Sequence, residues 1–152
     1  MAVVAPLSRY KRNNFFIYIS LCLVVAVWCA YDGYISEAFI SEHTTAEGQA
    51  DGALVFNRVA PPVLAVVAAF FGGWLYVIRK RQVVADDAVL TVPGKEPIPY
   101  DAIEKIDKTH FQEKGRFTIF YGRNGDEAKL TLNDRQYDNL PEVLDLIVAK
   151  IT

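Results

Sequence analysis

Residues 15–31 read FFIYISLCLVVAVWCAY and residues 59–78 read VAPPVLAVVAAFFGGWLYVI. The first run holds 16 apolar residues in 17, broken only by Ser20. The second holds 16 in 20, broken only by Pro61, Pro62, Gly72 and Gly73, and neither run contains a charge. A hydrocarbon layer about 30 Å thick needs roughly 20 helical residues at about 1.5 Å each. The second run is long enough as it stands; the first reaches that length because Tyr34, Ile35, Ala38 and Phe39 recur at helical spacing beyond Asp32. Two transmembrane helices are therefore expected, residues 15–35 and 58–78, with residues 1–14 before them and a loop, 36–57, between them. Outside the two runs only 47 of 115 residues are apolar, a water-soluble composition, so a simple soluble domain and a disordered chain are both excluded.

A cleaved signal peptide would account for Arg9, Lys11 and Arg12 ahead of the first run. The cleavage chemistry opposes it: Trp28 stands where a cut after Ala30 wants a small residue, and bulky Trp28 and Leu21 precede Cys29 and Cys22. An uncleaved anchor is expected. Basic residues flank both spans on one side, Arg9, Lys11 and Arg12 before the first and Arg79, Lys80 and Arg81 after the second. The connecting segment, Asp32 to Arg58, holds only Arg58 against Asp32, Glu37, Glu42, Glu47 and Asp51. By the positive-inside rule both termini are cytoplasmic, the loop lies outside, and Arg79, Lys80 and Arg81 anchor the chain at the inner leaflet.

Membrane helices approach closely where side chains are small. Cys22, Ala26 and Ala30 make such a row in the first span and Ala65, Ala69 and Gly73 in the second, so the two are expected to form the packing seam; Ala68 and Gly72 form a further row. Pro61 and Pro62 leave two starts open for the second helix, one near Asn57 or Arg58 and one near Asp51 with a kink. Residues 43–52 are expected to be a mobile polar loop.

Little here declares a chemistry. Cys22 and Cys29 stand seven apart on one helical face, too far for a disulfide on a regular helix. His43 and His110 fall on opposite sides of the expected membrane, and His43 with Glu42 and Glu47 reads as a solvated loop face. Residues 82–152 contain no Ser and no Cys, which removes those nucleophiles from that segment. No cofactor, metal or small-molecule substrate is indicated, and the chain is expected not to be an enzyme.

Beyond the second span the pattern changes to short strands. Val83 to Ala85 and Ala88 to Val92 flank Asp86-Asp87 as a hairpin, residues 93–96 form a turn, and Pro97 to Tyr100 is extended. Ile103 to Phe111 is expected to be a strand that starts with a bulge or a helical turn. Arg116 to Tyr121 and Glu127 to Leu132 alternate across an Asn124-Gly125 turn, with Ala128, Leu130 and Leu132 inward. A C-terminal helix follows, capped by Asn139 with Glu142, and carries the stripe Leu140, Val143, Leu144, Ile147, Val148 and Ile151. The expected fold is a two-helix transmembrane hairpin followed by a small α+β cytoplasmic domain, residues 82–152, an antiparallel sheet covered by that helix.

The segment resembles a bacterial pleckstrin-homology-like (PH-like) domain. The likeness rests on Asp86-Asp87 to Val92, on Ile98-Pro-Tyr-Asp-Ala-Ile-Glu-Lys-Ile-Asp107, and on the last strand leading into Tyr137 to Ile151. It departs from that family by having room for about six strands instead of seven. The resemblance implies a module behind a membrane anchor in a small bacterial inner-membrane protein.

Residues 82–152 hold nine basic and 13 acidic residues, a balance of minus 4, which argues against nucleic acid and against an anionic surface. Lys105, Lys108, Lys114 and Arg116 nevertheless form a candidate interaction patch. The expected function is a membrane-anchored interaction or scaffold protein whose partners are membrane lipids and a protein or a second copy. An accessory subunit of a larger membrane complex is the alternative, and a lipid-headgroup sensor a variant.

Overall fold

The computed structural model describes residues 2–123 and 125–151. Two compact units emerge, one of Asn13–Val77 and one of Met1–Arg12 with Ile78–Thr152.

The second unit contains seven strands among the described residues. The first comes from the N-terminal tail: β1 (Val3–Pro6) pairs antiparallel with β2 (Gln82–Ala85), Ala5 opposite Val83 and Pro6 opposite Gln82. β3 (Val89–Thr91) and β4 (Ile98–Pro99) complete a four-stranded sheet in the order β1-β2-β3-β4. A 3₁₀ turn, Tyr100–Ala102, leads into β5 (Ile103–Asp107), whose register shifts between Ile103 and Lys105. The expected strand to Phe111 ends early, because Phe111–Lys114 is a short helix. β6 (Arg116–Arg123) and β7 (Asp126–Asn133) complete a second sheet in the order β5-β6-β7. Their hairpin closes between Arg123 and Asp126 with Gly125 at φ 89°, a conformation that favours glycine; Asn124 lies outside the described residues.

Alternation decides which faces turn inward. Phe117, Ile119 and Tyr121 of β6 and Leu130 and Leu132 of β7 are buried, with Ala128 partly so. The C-terminal helix Leu140–Ile151 contributes Leu140, Val143, Leu144 and Ile147 to the same core, while Ile151 stays exposed. This helix packs on β1, β2 and the 3₁₀ turn. Its start departs from the expected capping box: Asn139 is left-handed, at φ 64°, and its side-chain amide donates to the Val4 carbonyl of β1 at 3.2 Å.

In chain order the helices are α1 (Arg9–Tyr34), α2 (Glu37–Glu42), α3 (Gly52–Ile78), α4 (Phe111–Lys114) and α5 (Leu140–Ile151). The first helix thus starts at Arg9, six residues before the apolar run. Of the two starts open for the second long helix, the earlier holds. Asp51 accepts the Leu54 amide at 3.0 Å through its carboxylate and the Val55 amide at 3.0 Å through its carbonyl, and α3 continues through both prolines.

Pro61 and Pro62 lack the N–H groups that would bond Asn57 and Arg58 four residues back. Tyr34 of α1 supplies one replacement, its hydroxyl donating to the Arg58 carbonyl at 2.9 Å. The Arg58 side chain returns the contact, Nε donating to the Gly33 carbonyl at 3.0 Å. At the other end of the same hairpin Phe71 meets Phe15 and Tyr18, with ring centroids 6.1 and 5.8 Å apart.

The loop between the helices carries its own hydrogen bonds. Ser36 caps α2 through the Phe39 amide, Thr44 bridges Ala50, and His43 Nδ1 lies 2.8 Å from the Asp51 carboxylate. The first of these satisfies a helix-terminal donor and the last orients the acid that caps α3.

Candidate functional site

Both long helices are long and apolar enough to cross a membrane. Only 6% of the most apolar 18-residue stretch of α1 and 17% of that of α3 is buried, whereas the core helix of a soluble protein is covered. Phe16, Leu21, Val24, Val27 and Trp28 of α1, and Val63, Val66, Phe70 and Trp74 of α3, are exposed, far more apolar surface than a monomer holds against water.

The expected seam is half right. Ala26, Cys29 and Gly33 are the buried positions of α1, with Cys22 and Ala30 part-buried at its flanks. On α3 the inward row is Ala60, Ala68 and Leu75, bordered by Leu64, Phe71 and Gly72. Ala65, Ala69 and Gly73 are exposed, so the second small-residue row of the sequence, Ala68 and Gly72, is the one that meets α1, with Gly72 4.0 Å from Ile19 were it to carry a Cβ. Gly33 lies close against the Asn57 backbone, where a Cβ would stand 2.8 Å from the carbonyl oxygen.

The start of α1 is built into the sheet unit. Ser8 is fully buried; its hydroxyl donates to the Arg135 carbonyl at 2.5 Å and accepts the Lys11 amide at 3.1 Å, and its amide donates to Gln136 at 2.9 Å. Asp138 adds a second cap, accepting the Arg9 amide at 3.1 Å, while its own amide donates to the Pro6 carbonyl. Leu7 bridges Tyr137. The folded unit therefore does contain one serine, but its hydroxyl is buried and engaged on both sides.

Redrawing the unit changes its charge. Arg9, Lys11, Arg12, Arg79, Lys80 and Arg81 join the nine basic residues of 82–152 and bring no acid, giving fifteen against thirteen, plus 2 instead of minus 4. The acidic balance expected to disfavour an anionic surface belonged to an incomplete unit. Burial pushes the Tyr137 phenol up, and the positive charge of Arg81 opposes that shift. Arg79, Lys80 and Arg81 are exposed directly after α3.

All four residues of the patch are exposed. Lys105 is on β5 opposite Phe120. Lys108 lines a depression with Thr109, Phe111, Gln112 and Glu113; beside it the Thr109 hydroxyl and amide hold the Asp107 carboxyl below its usual range. Lys114 and Arg116 line a different cavity, of about 220 Å³, with Glu113, Asn133 and Arg135. Arg135 was missed because it lies far along the chain; the ladder pairing of Arg116 with Asn133 brings it in. Among the described residues no three His, Cys, Asp or Glu side chains come together as metal ligands.

No protein family, curated protein or solved structure matches the chain.

Proposed function

We propose that the chain is a membrane-anchored interaction or scaffold protein of the bacterial inner membrane, presenting a PH-like module at the cytoplasmic face with both termini inside. One observation carries the reading: the chain leaves the sheet unit through β1 and re-enters it through the neighbouring strand β2, and everything between is two apolar, exposed helices and their loop. Both flanks of the helices thus belong to one folded unit, so a pair of spans must cross as a hairpin. The basic flanks orient it. Four strands, then three, then a covering helix support the PH-like reading, the N-terminal tail supplying the strand that residues 82–152 lack. Docking is the work we assign to this small module, in which β4, β5 and β7 are terminal strands of their sheets among the described residues.

The alternative, an accessory subunit of a larger complex, is favoured by the exposed row Ala65, Ala69 and Gly73, a face that a further helix can approach closely.

Crosslinking and affinity purification from native membranes tests the docking reading, with a stoichiometric partner retained through the module as the expected result. A solitary monomer after gentle extraction would reject the subunit alternative. For topology, an impermeant thiol reagent applied to intact cells should modify Glu47→Cys and spare Asp126→Cys; equal labelling would overturn the hairpin orientation.

A further inference from the structure

We propose that the cavity between Lys114, Arg116 and Arg135 is a binding site for a single phosphate group. Its floor is built by backbone. Lys114 ends α4, Gly115 turns the chain in the left-handed conformation at φ 59°, and Arg116 opens β6 opposite Asn133. The Asp134 amide donates to the Gly115 carbonyl at 2.8 Å, and the Arg135 amide donates to the Asn133 side-chain oxygen at 2.8 Å. Two sequence-distant cationic segments are thereby locked together before any ligand arrives.

The side chains are available. Lys114, Arg116 and Arg135 form no ion pair among the described residues, and the Asn133 amide nitrogen is left to donate. The Arg135 guanidinium lies over the Tyr10 ring, 5.8 Å from its centroid, which holds a long side chain in place at little further entropic cost. Arginine forks suit phosphate oxygens. The depression, about 220 Å³, is open on one side and has room for more than a single water.

Acids limit the charge of the ligand. Glu113 lines the cavity, and Asp134 lies against Gly115, where a Cβ would meet its carboxylate. Three cations against two carboxylates favour one phosphate over a polyphosphate. The phosphate has two sources, a phospholipid headgroup or a soluble ester. Arg135 accepts the Ser8 hydroxyl through its carbonyl, beside the first turn of α1, so the headgroup source rests on the membrane reading while the phosphate chemistry does not.

The test uses the full chain in zwitterionic micelles, titrated with inorganic phosphate and followed by main-chain amide spectra. Saturable shifts confined to residues 113–116 and 133–135 are expected, weakened roughly tenfold or more in Arg116→Gln and Arg135→Gln and unchanged in Lys105→Gln. The spectra report folding of each variant directly. Shifts that do not saturate, or that survive both arginine changes, would overturn the site. Repeating the titration in bilayer discs separates the sources: phosphatidylglycerol that abolishes the response, where phosphatidylcholine does not, identifies the headgroup, and an undiminished response identifies a soluble ester. Failure to enter discs with phosphate binding intact would sink the membrane reading alone.

Discussion

The Tyr34 hydroxyl donates to the main-chain carbonyl of Arg58 at 2.9 Å. That carbonyl is the one Pro62 deprives of its helical donor, so the two residues close a gap that α3 cannot close internally. Next to it Gly33 presents a bare α-carbon to Asn57, where a Cβ would stand 2.8 Å from the carbonyl oxygen. Two prolines, a tyrosine and a glycine thus set the geometry of one end of the hairpin.

Tyr34→Phe should destabilise the hairpin by about 0.5–1.5 kcal/mol, the usual net contribution of one hydrogen bond. Pro62→Ala restores the internal donor, so in that background Tyr34→Phe should cost much less. A double-mutant cycle, read by denaturation in detergent, measures the coupling; strict additivity would show that Tyr34 does not serve the gap. Gly33→Ala should cost about 1–3 kcal/mol through overpacking, whereas Gly73→Ala, with nothing near its Cβ position, should be neutral or slightly stabilising.

The Ser8 hydroxyl joins two backbone groups at the start of α1, the Arg135 carbonyl and the Lys11 amide. Replacing Ser8 by Ala leaves the Arg135 carbonyl and the Lys11 amide without a partner, for a loss of about 1–3 kcal/mol. Ser8→Thr keeps the hydroxyl and should recover part of it. Thermal unfolding of the full chain checks both, and a neutral alanine variant would remove Ser8 from the account.

Residues 82–152 alone should not fold cooperatively, because they lack Ala5 from the core and leave β2 unpaired on one side. Residues 1–12 joined to 78–152 through a short Gly/Ser linker should fold and stay soluble, since the exposed apolar helices have been removed. Chemical denaturation distinguishes them: a sigmoidal transition for the short fragment would show that β1 is dispensable.

That boundary is also where the sequence was hardest to read. The apolar runs, the alternation of β6 and β7 and the stripe of α5 are local periodicities, visible because each repeats within a dozen residues. β1 is four residues long and its partner lies about 80 positions away, so no local pattern marks Val3–Pro6 as a strand. The candidate site shows the same limit. Lys114 and Arg116 stand next to a glycine in the sequence, but Arg135 comes to them through the β6–β7 ladder. The α3 half of the seam differs for another reason: two small-residue rows on α3 are equivalent by composition, and which one faces α1 depends on contacts between helices that no local pattern records.

The Asp51 carboxyl makes the loop between the helices sensitive to acid. The Leu54 amide first, and His43 second, hold it below its usual range. A group whose folded value is depressed stabilises the fold fully above its unfolded value near 3.8 and loses that contribution as pH falls through the lower folded value. Hydrogen exchange at Leu54 and Val55, corrected for intrinsic rates, should therefore lose protection as pH falls below the unfolded value near 3.8, while the α3 interior keeps its own. Asp51→Asn retains a capping oxygen without the charge, so its protection should be lower near neutrality and flat as pH falls. If the wild-type profile were equally flat, the capping carboxylate would not be what holds the start of α3.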